Sequence, residues 1–101
     1  MATLVLGDIL DDLQTAEQGL HKFERRYWLS SEHFYELYSQ GLLDDGEHSE
    51  EFAEWAGHYK LWQKRQKALH KLSSERLTEL RQKGQPHVRL NPAEPFVTIY
   101  P

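Results

Sequence analysis

A chain of 101 residues allows one domain with a modest hydrophobic core. It is 39% hydrophobic and 28% charged and has no cysteine, which excludes disulfides, thiolate zinc sites and thiol nucleophiles. The net charge of −4 divides unevenly, with 13 acidic and 3 basic side chains in residues 1–59 (−10) and 3 acidic and 9 basic ones in residues 60–101 (+6).

Such a charge asymmetry can steer a partner or promote head-to-tail self-association, and it also fits two solvated helix faces. The low apolar content suits a thin helical structure, or one that completes its core against a partner. The opening MATLVLGDILDD has neither the basic stretch nor the long apolar run of a signal peptide, and no run approaches a membrane span. A cytoplasmic location is expected.

Gly7-Asp8 predicts a helix start with Asp8 as N-cap and Asp11 and Asp12 in the first turn. Leu6, Leu13, Leu20 and Tyr27 recur every seven residues, with Ile9, Ala16 and Phe23 three after each of the first three. That seam packs lengthwise on another helix. Gly19 falls inside this helix, either as a close-contact point or as a surface flaw. Lys22, Arg25 and Arg26 complement the helix C-terminus.

A second, short helix begins at Leu29-Ser30-Ser31-Glu32. With Ser30 as cap, Leu29 and Phe34 have hydrophobic-staple spacing. Gly41 is placed to end the helix in the left-handed conformation, with Leu42 folding back on the last turn. Asp44, Asp45 or Ser49 can cap the third helix. Its stripe of Phe52, Trp55, Ala56, Tyr59, Trp62, Leu69, Leu72 and Leu80 is aromatic first and aliphatic later, interrupted by Lys64-Arg65-Gln66-Lys67. The aromatic half is expected to meet Tyr27, Trp28, Phe34 and Tyr38. Ser73-Ser74 can break or kink this helix; one continuous helix ending near Lys83, with Gly84 as its stop, is the preferred reading.

The expected fold is all-α: two long antiparallel helices, near 8–28 and 49–83, bridged by a short helix near 31–40. The helical hairpin domain takes residues 1–84, with an extended proline-rich tail over 85–101. The structural core is assigned to Leu13, Leu20, Phe23, Tyr27, Phe34, Tyr38, Phe52, Trp55, Tyr59 and Trp62. In the tail, Pro86, Pro92, Pro95 and Pro101 exclude regular helix, and Val88 to Leu90 and Phe96 to Tyr100 read as short strands. The tail packs back on the helices, with 96–100 beside Thr3–Leu6, or docks on a partner as an added strand.

Six histidines prompt a search for metal sites, but no HExxH or comparable ligand spacing occurs. Asp44-Asp45-Gly46-Glu47 lacks calcium-loop spacing. Ser30, Ser31, Ser73 and Ser74 are explained by capping, so no catalytic residue, cofactor or metal is assigned. Lys60, Lys64, Lys67 and Lys71 share one face of the third helix, a plausible phosphate track within a basic region that also holds Arg65, although the chain as a whole is acidic. Lys64, Arg65, Lys67 and Lys71, with Val88, Leu90, Phe96, Val97, Ile99 and Tyr100 of the tail, form the candidate partner-binding surface.

Glu24, Tyr27, Leu29-Ser30, Phe34, Tyr38, Gly41, Leu43 and Asp45, followed by Glu54-Trp55-Ala56 and Tyr59, make the pattern ERRYxLSxxxFxxLYxxGxLxD with EWAxxY after it. This stretch, about a third of the chain, resembles a family of small bacterial and archaeal helical proteins regarded as antitoxin-like partners of small toxins. The proline-rich end lies outside the pattern. The resemblance implies a non-enzymatic protein that neutralises a cognate toxin by binding it; toxins of this class are often nucleases. Two alternatives stand beside it: a nucleic-acid-binding protein using the basic third helix, and a structural homodimer with no toxin partner.

Overall fold

The computed structural model describes residues 5–43, 46–81 and 86–92. Three helices form in the expected order: α1, Leu6–Tyr27; α2, Ser31–Ser39; and α3, Ser49–Leu80. α1 and α3 pack antiparallel, and α2 lies across the end where they are joined. The seven-residue seam of α1 is the reason for this pairing, since Ile9, Leu13, Ala16, Leu20 and Phe23 are all buried. α3 runs unbroken through Ser73-Ser74.

The helix ends follow local chemistry, with some corrections. The Ser30 hydroxyl accepts from the His33 N–H and caps α2, while Leu29 packs beside the core and Phe34 is buried, as the staple requires. Beyond α2, Gly41 adopts φ 69. Its N–H donates to Tyr38 O and the Leu42 N–H to Leu37 O, each at 3.0 Å, the paired bonds of a Schellman motif. Leu42 folds back through its backbone, and its side chain stays exposed.

At the start of α1, Ile9 N–H already donates to Val5 O, so Val5 is the N-cap and Asp8 lies in the first turn. Gly7 is tolerated inside the helix. Ser49 is the first residue of α3, not its cap; His48 precedes it, and Asp44 and Asp45 lie outside the described residues. α3 ends at Leu80, short of Lys83, and Gly84 is also outside them. Val88 to Leu90 form no strand. Among the described residues there is no sheet edge to pair with them; this segment is instead tied to α3 where Arg76 Nη2 donates to Asn91 O at 2.8 Å.

The core lies at the α2 end. Trp55 of α3 stacks on Phe34 of α2 with ring centroids 3.8 Å apart and planes within 4°. It also stacks on Phe23 and Tyr27 of α1, at 5.6 and 5.5 Å. Leu20, Phe52 and Ala56 complete the buried cluster, with Tyr27, Tyr38, Tyr59 and Trp62 half-buried around it. Every residue assigned to the core from the sequence is therefore buried or packed against the buried cluster, or, for Leu13, buried further along the seam. Trp28 is the exception among the expected aromatics: it is 92% exposed. Beyond Ala56, α3 buries no further side chain. The radius of gyration is 18.4 Å, against about 13 Å for a compact domain of this length.

Gly19 sits at a close crossing. A Cβ there would fall 2.6 Å from the imidazole of His58 on α3, so the close-contact reading holds. Ala in place of Gly gains up to about 1 kcal/mol in a helix interior, but here it displaces the imidazole. Gly19→Ala alone should therefore stabilise by less than that, or destabilise, whereas the same change in a His58→Ala background should recover about 1 kcal/mol. Paired urea melts of the four proteins measure the difference.

Candidate binding groove and exposed surfaces

A groove of about 390 Å³ opens where the start of α2 meets α1 and α3. α1 contributes Glu17, His21 and Glu24, which share a helical face at spacings of three and four. α2 contributes Glu32, and α3 supplies the aromatic floor of Tyr59 and Trp62. These two rings stack at 5.8 Å with planes 15° apart, and Tyr35 lies against Tyr59 at 5.1 Å.

A hydrogen-bond chain holds the groove wall to the core. Trp55 Nε1–H donates to Ser31 Oγ at 2.8 Å. The Ser31 hydroxyl donates onward to Glu24 Oε2 at 2.7 Å, and the Ser31 N–H donates to the same oxygen at 3.0 Å. His21 Nδ1 lies 2.9 Å from Glu24 Oε1, a bond that needs the proton on Nδ1. Glu24 thus satisfies a free N–H at the α2 N-terminus, where the helix dipole also favours negative charge. Burial works against its charge, but the bonds from Ser31 and His21 outweigh it and hold the carboxyl below its ordinary value.

Further along, Trp62 Nε1–H donates to Glu17 Oε2 at 3.0 Å. Burial, with the nearby charge of Glu32 and then Tyr35, pushes the Tyr59 phenol up. Among the described residues no cluster of three His, Asp or Glu side chains can hold a metal ion.

On the other side of the seam, charges cross between the long helices. Arg26 pairs with Glu51 at 3.1 Å, Lys22 with Glu54 at 3.4 Å and Arg65 with Asp12 at 2.7 Å. Tyr27 also donates to Glu51; that bond, more than the Arg26 charge, lowers the Glu51 carboxyl. The candidate partner-binding residues are thereby separated. Arg65 turns inward to Asp12, while Lys60, Lys64, Lys67 and Lys71 stay exposed on α3. Val88 and Leu90 are exposed, Leu90 by 74%. Phe96, Val97, Ile99 and Tyr100 lie outside the described residues.

Two features escaped the sequence reading. The groove joins residues from Glu17 to Trp62, and no local spacing signals that meeting. Trp28 is the other. It ends α1 in the left-handed region at φ 56, ψ 43, donating its N–H to Glu24 O at 2.8 Å. The available signal was its place beside Tyr27: neighbours on a helix point about 100° apart, so a narrow seam accepts only one of them. Trp28 is thus a bulky residue at positive φ whose ring stays in solvent.

No family model, curated protein or solved structure matches the chain.

Glu24→Gln should lower stability by about 1–2 kcal/mol through weaker bonds at the α2 N-terminus. Because the carboxyl is lowered from 4.5 on folding, its contribution is complete above that pH and disappears as pH falls through the lower folded value. The gap between the parent and Glu24→Gln in denaturant melts should therefore close with acid. Trp28→Asn should raise stability by about 1 kcal/mol, because Asn accepts the left-handed conformation and little packing is lost; thermal melts test this directly.

Proposed function

We propose that this chain is a non-enzymatic protein-interaction module: an antitoxin-like protein that neutralises a small cognate toxin by binding it, acting in the cytoplasm. The observation that carries the interaction reading is the uncovered length of α3. Its last 24 residues, from Gly57 to Leu80, bury no side chain, although Leu61, Leu69, Leu72 and Leu80 lie along them and remain half-buried. α1 covers one side of this stretch, and α2 reaches only the aromatic end. Leu77, Val88 and Leu90 add exposed apolar surface. Apolar surface rimmed by charge is the usual form of a protein docking site.

The more specific antitoxin reading is supported by the resemblance of the Glu24–Tyr59 pattern. Most of the described positions of that pattern cap or pack the helices, so the pattern describes largely a scaffold. Binding alone would account for neutralisation, by covering the toxin's working surface. No helix among the described residues is long and apolar enough to cross a membrane, so a water-exposed binding role fits the chain.

Co-expression with the product of the adjacent gene should give a complex that copurifies and should rescue growth from that product's toxicity. Leu69→Asp with Leu77→Asp should abolish both while leaving the helical spectrum intact. A harmless neighbour that does not copurify would overturn the antitoxin reading. A salt-sensitive nucleic-acid gel shift, lost on reversing Lys64, Lys67 and Lys71, would transfer the surface to nucleic acid.

A further inference from the structure

The groove at the start of α2 has a composition that selects its occupant. Its floor is the stacked pair Tyr59 and Trp62, and aromatic faces attract cations, planar guanidinium most readily. Its rim holds the Glu17, Glu24 and Glu32 carboxylates. Glu17 uses one oxygen on the Trp62 indole, which fixes the ring's orientation and leaves the second oxygen as an acceptor. The upward push on the Tyr59 phenol is in part the field of Glu32 reaching the floor. A metal ion does not fit, since the carboxylates do not gather into a coordinating set. A flat, delocalised cation that stacks on one surface and donates outward to separated carboxylates does fit.

We propose that this groove binds an arginine side chain of a protein partner, with the guanidinium lying on the Tyr59–Trp62 floor and donating to Glu17 and Glu32. The inference rests on the reading of the chain as an interaction module and names the chemistry its partner must present. The site lies on the α1/α3 seam, so a segment anchored there can continue along the uncovered half of α3. It also gives the acidic half of the chain a role separate from the lysine row: partner arginine enters at the α2 end, and apolar or acidic partner surface meets α3 beyond it.

The test uses the intact chain and N-acetyl-arginine amide, followed by NMR of the indole N–H groups. The three tryptophans serve as internal controls. A saturable shift of the Trp62 indole is expected, with Trp55 and Trp28 unmoved, and no comparable shift with the isosteric, uncharged citrulline amide. Glu17→Gln and Glu32→Gln keep the local packing, and each should weaken binding roughly tenfold, the effect of one charge-assisted bond.

A Trp28 shift equal to that of Trp62, or equal binding of the citrulline amide, overturns the proposal. So does no Trp62 shift into the high-millimolar range. If the co-expressed neighbour still copurifies in any of those cases, only the groove assignment falls; if it does not, the interaction reading falls with it.

Discussion

Trp55 is the residue through which all three helices are held. Its ring is stacked between Phe34 of α2 and the Phe23 and Tyr27 rings of α1, and its indole N–H donates to Ser31, the first residue of α2. A nine-residue helix is marginal alone. α2 persists because one side chain from α3 supplies both its apolar surface and a hydrogen bond at its start. Glu24 supplies the complementary bond from α1. The buried polar atoms of this junction are thus all paired, which makes a buried serine between aromatic rings tolerable.

The same junction creates the groove. To reach Ser31, Glu24 must face α2, and the residues one and two turns before it, His21 and Glu17, then face the same way. Trp62 lies two turns past Trp55 on α3 and meets Glu17. The acidic wall and aromatic floor are therefore consequences of how α2 is anchored. The groove's geometry is coupled to the scaffold, whereas the exposed lysine row on α3 lies outside it.

The α1 seam, the Ser30 cap and the Gly41 stop were legible because each is a local rule: a seven-residue period, a hydroxyl three residues before the N–H it accepts from, a glycine where φ is positive. The error at Asp8 came from the same kind of rule. A good capping residue was present, but Val5 and Leu6 continued the backbone ladder past it. Trp28 and the groove were illegible for another reason. One depends on which of two adjacent aromatics a narrow seam accepts, and the other on contacts between residues as far apart as Glu17 and Trp62, which composition and periodicity do not encode. The charge asymmetry, read along the chain, suggests a molecule with an acidic end and a basic end. Antiparallel packing instead lays the acidic start of α1 beside the basic stretch of α3, and the basic end of α1 beside the acidic start of α3, so the two halves largely offset one another in space.

The confinement of the buried residues of α3 to its first turns has a consequence for how such a chain can diverge. Past the Tyr59, Trp62 and Arg65 contacts, the side chains of α3 are half-buried or exposed, so substitutions there change the molecular surface at small cost to folding. The aromatic end has the opposite character, because most changes around Trp55 loosen three helices at once. Two populations of positions follow within one short chain, one held by the scaffold and one open to drift. A lineage of such proteins could exchange its binding partners while keeping the scaffold pattern intact, so descendants that share the Glu24–Tyr59 pattern need not share a target.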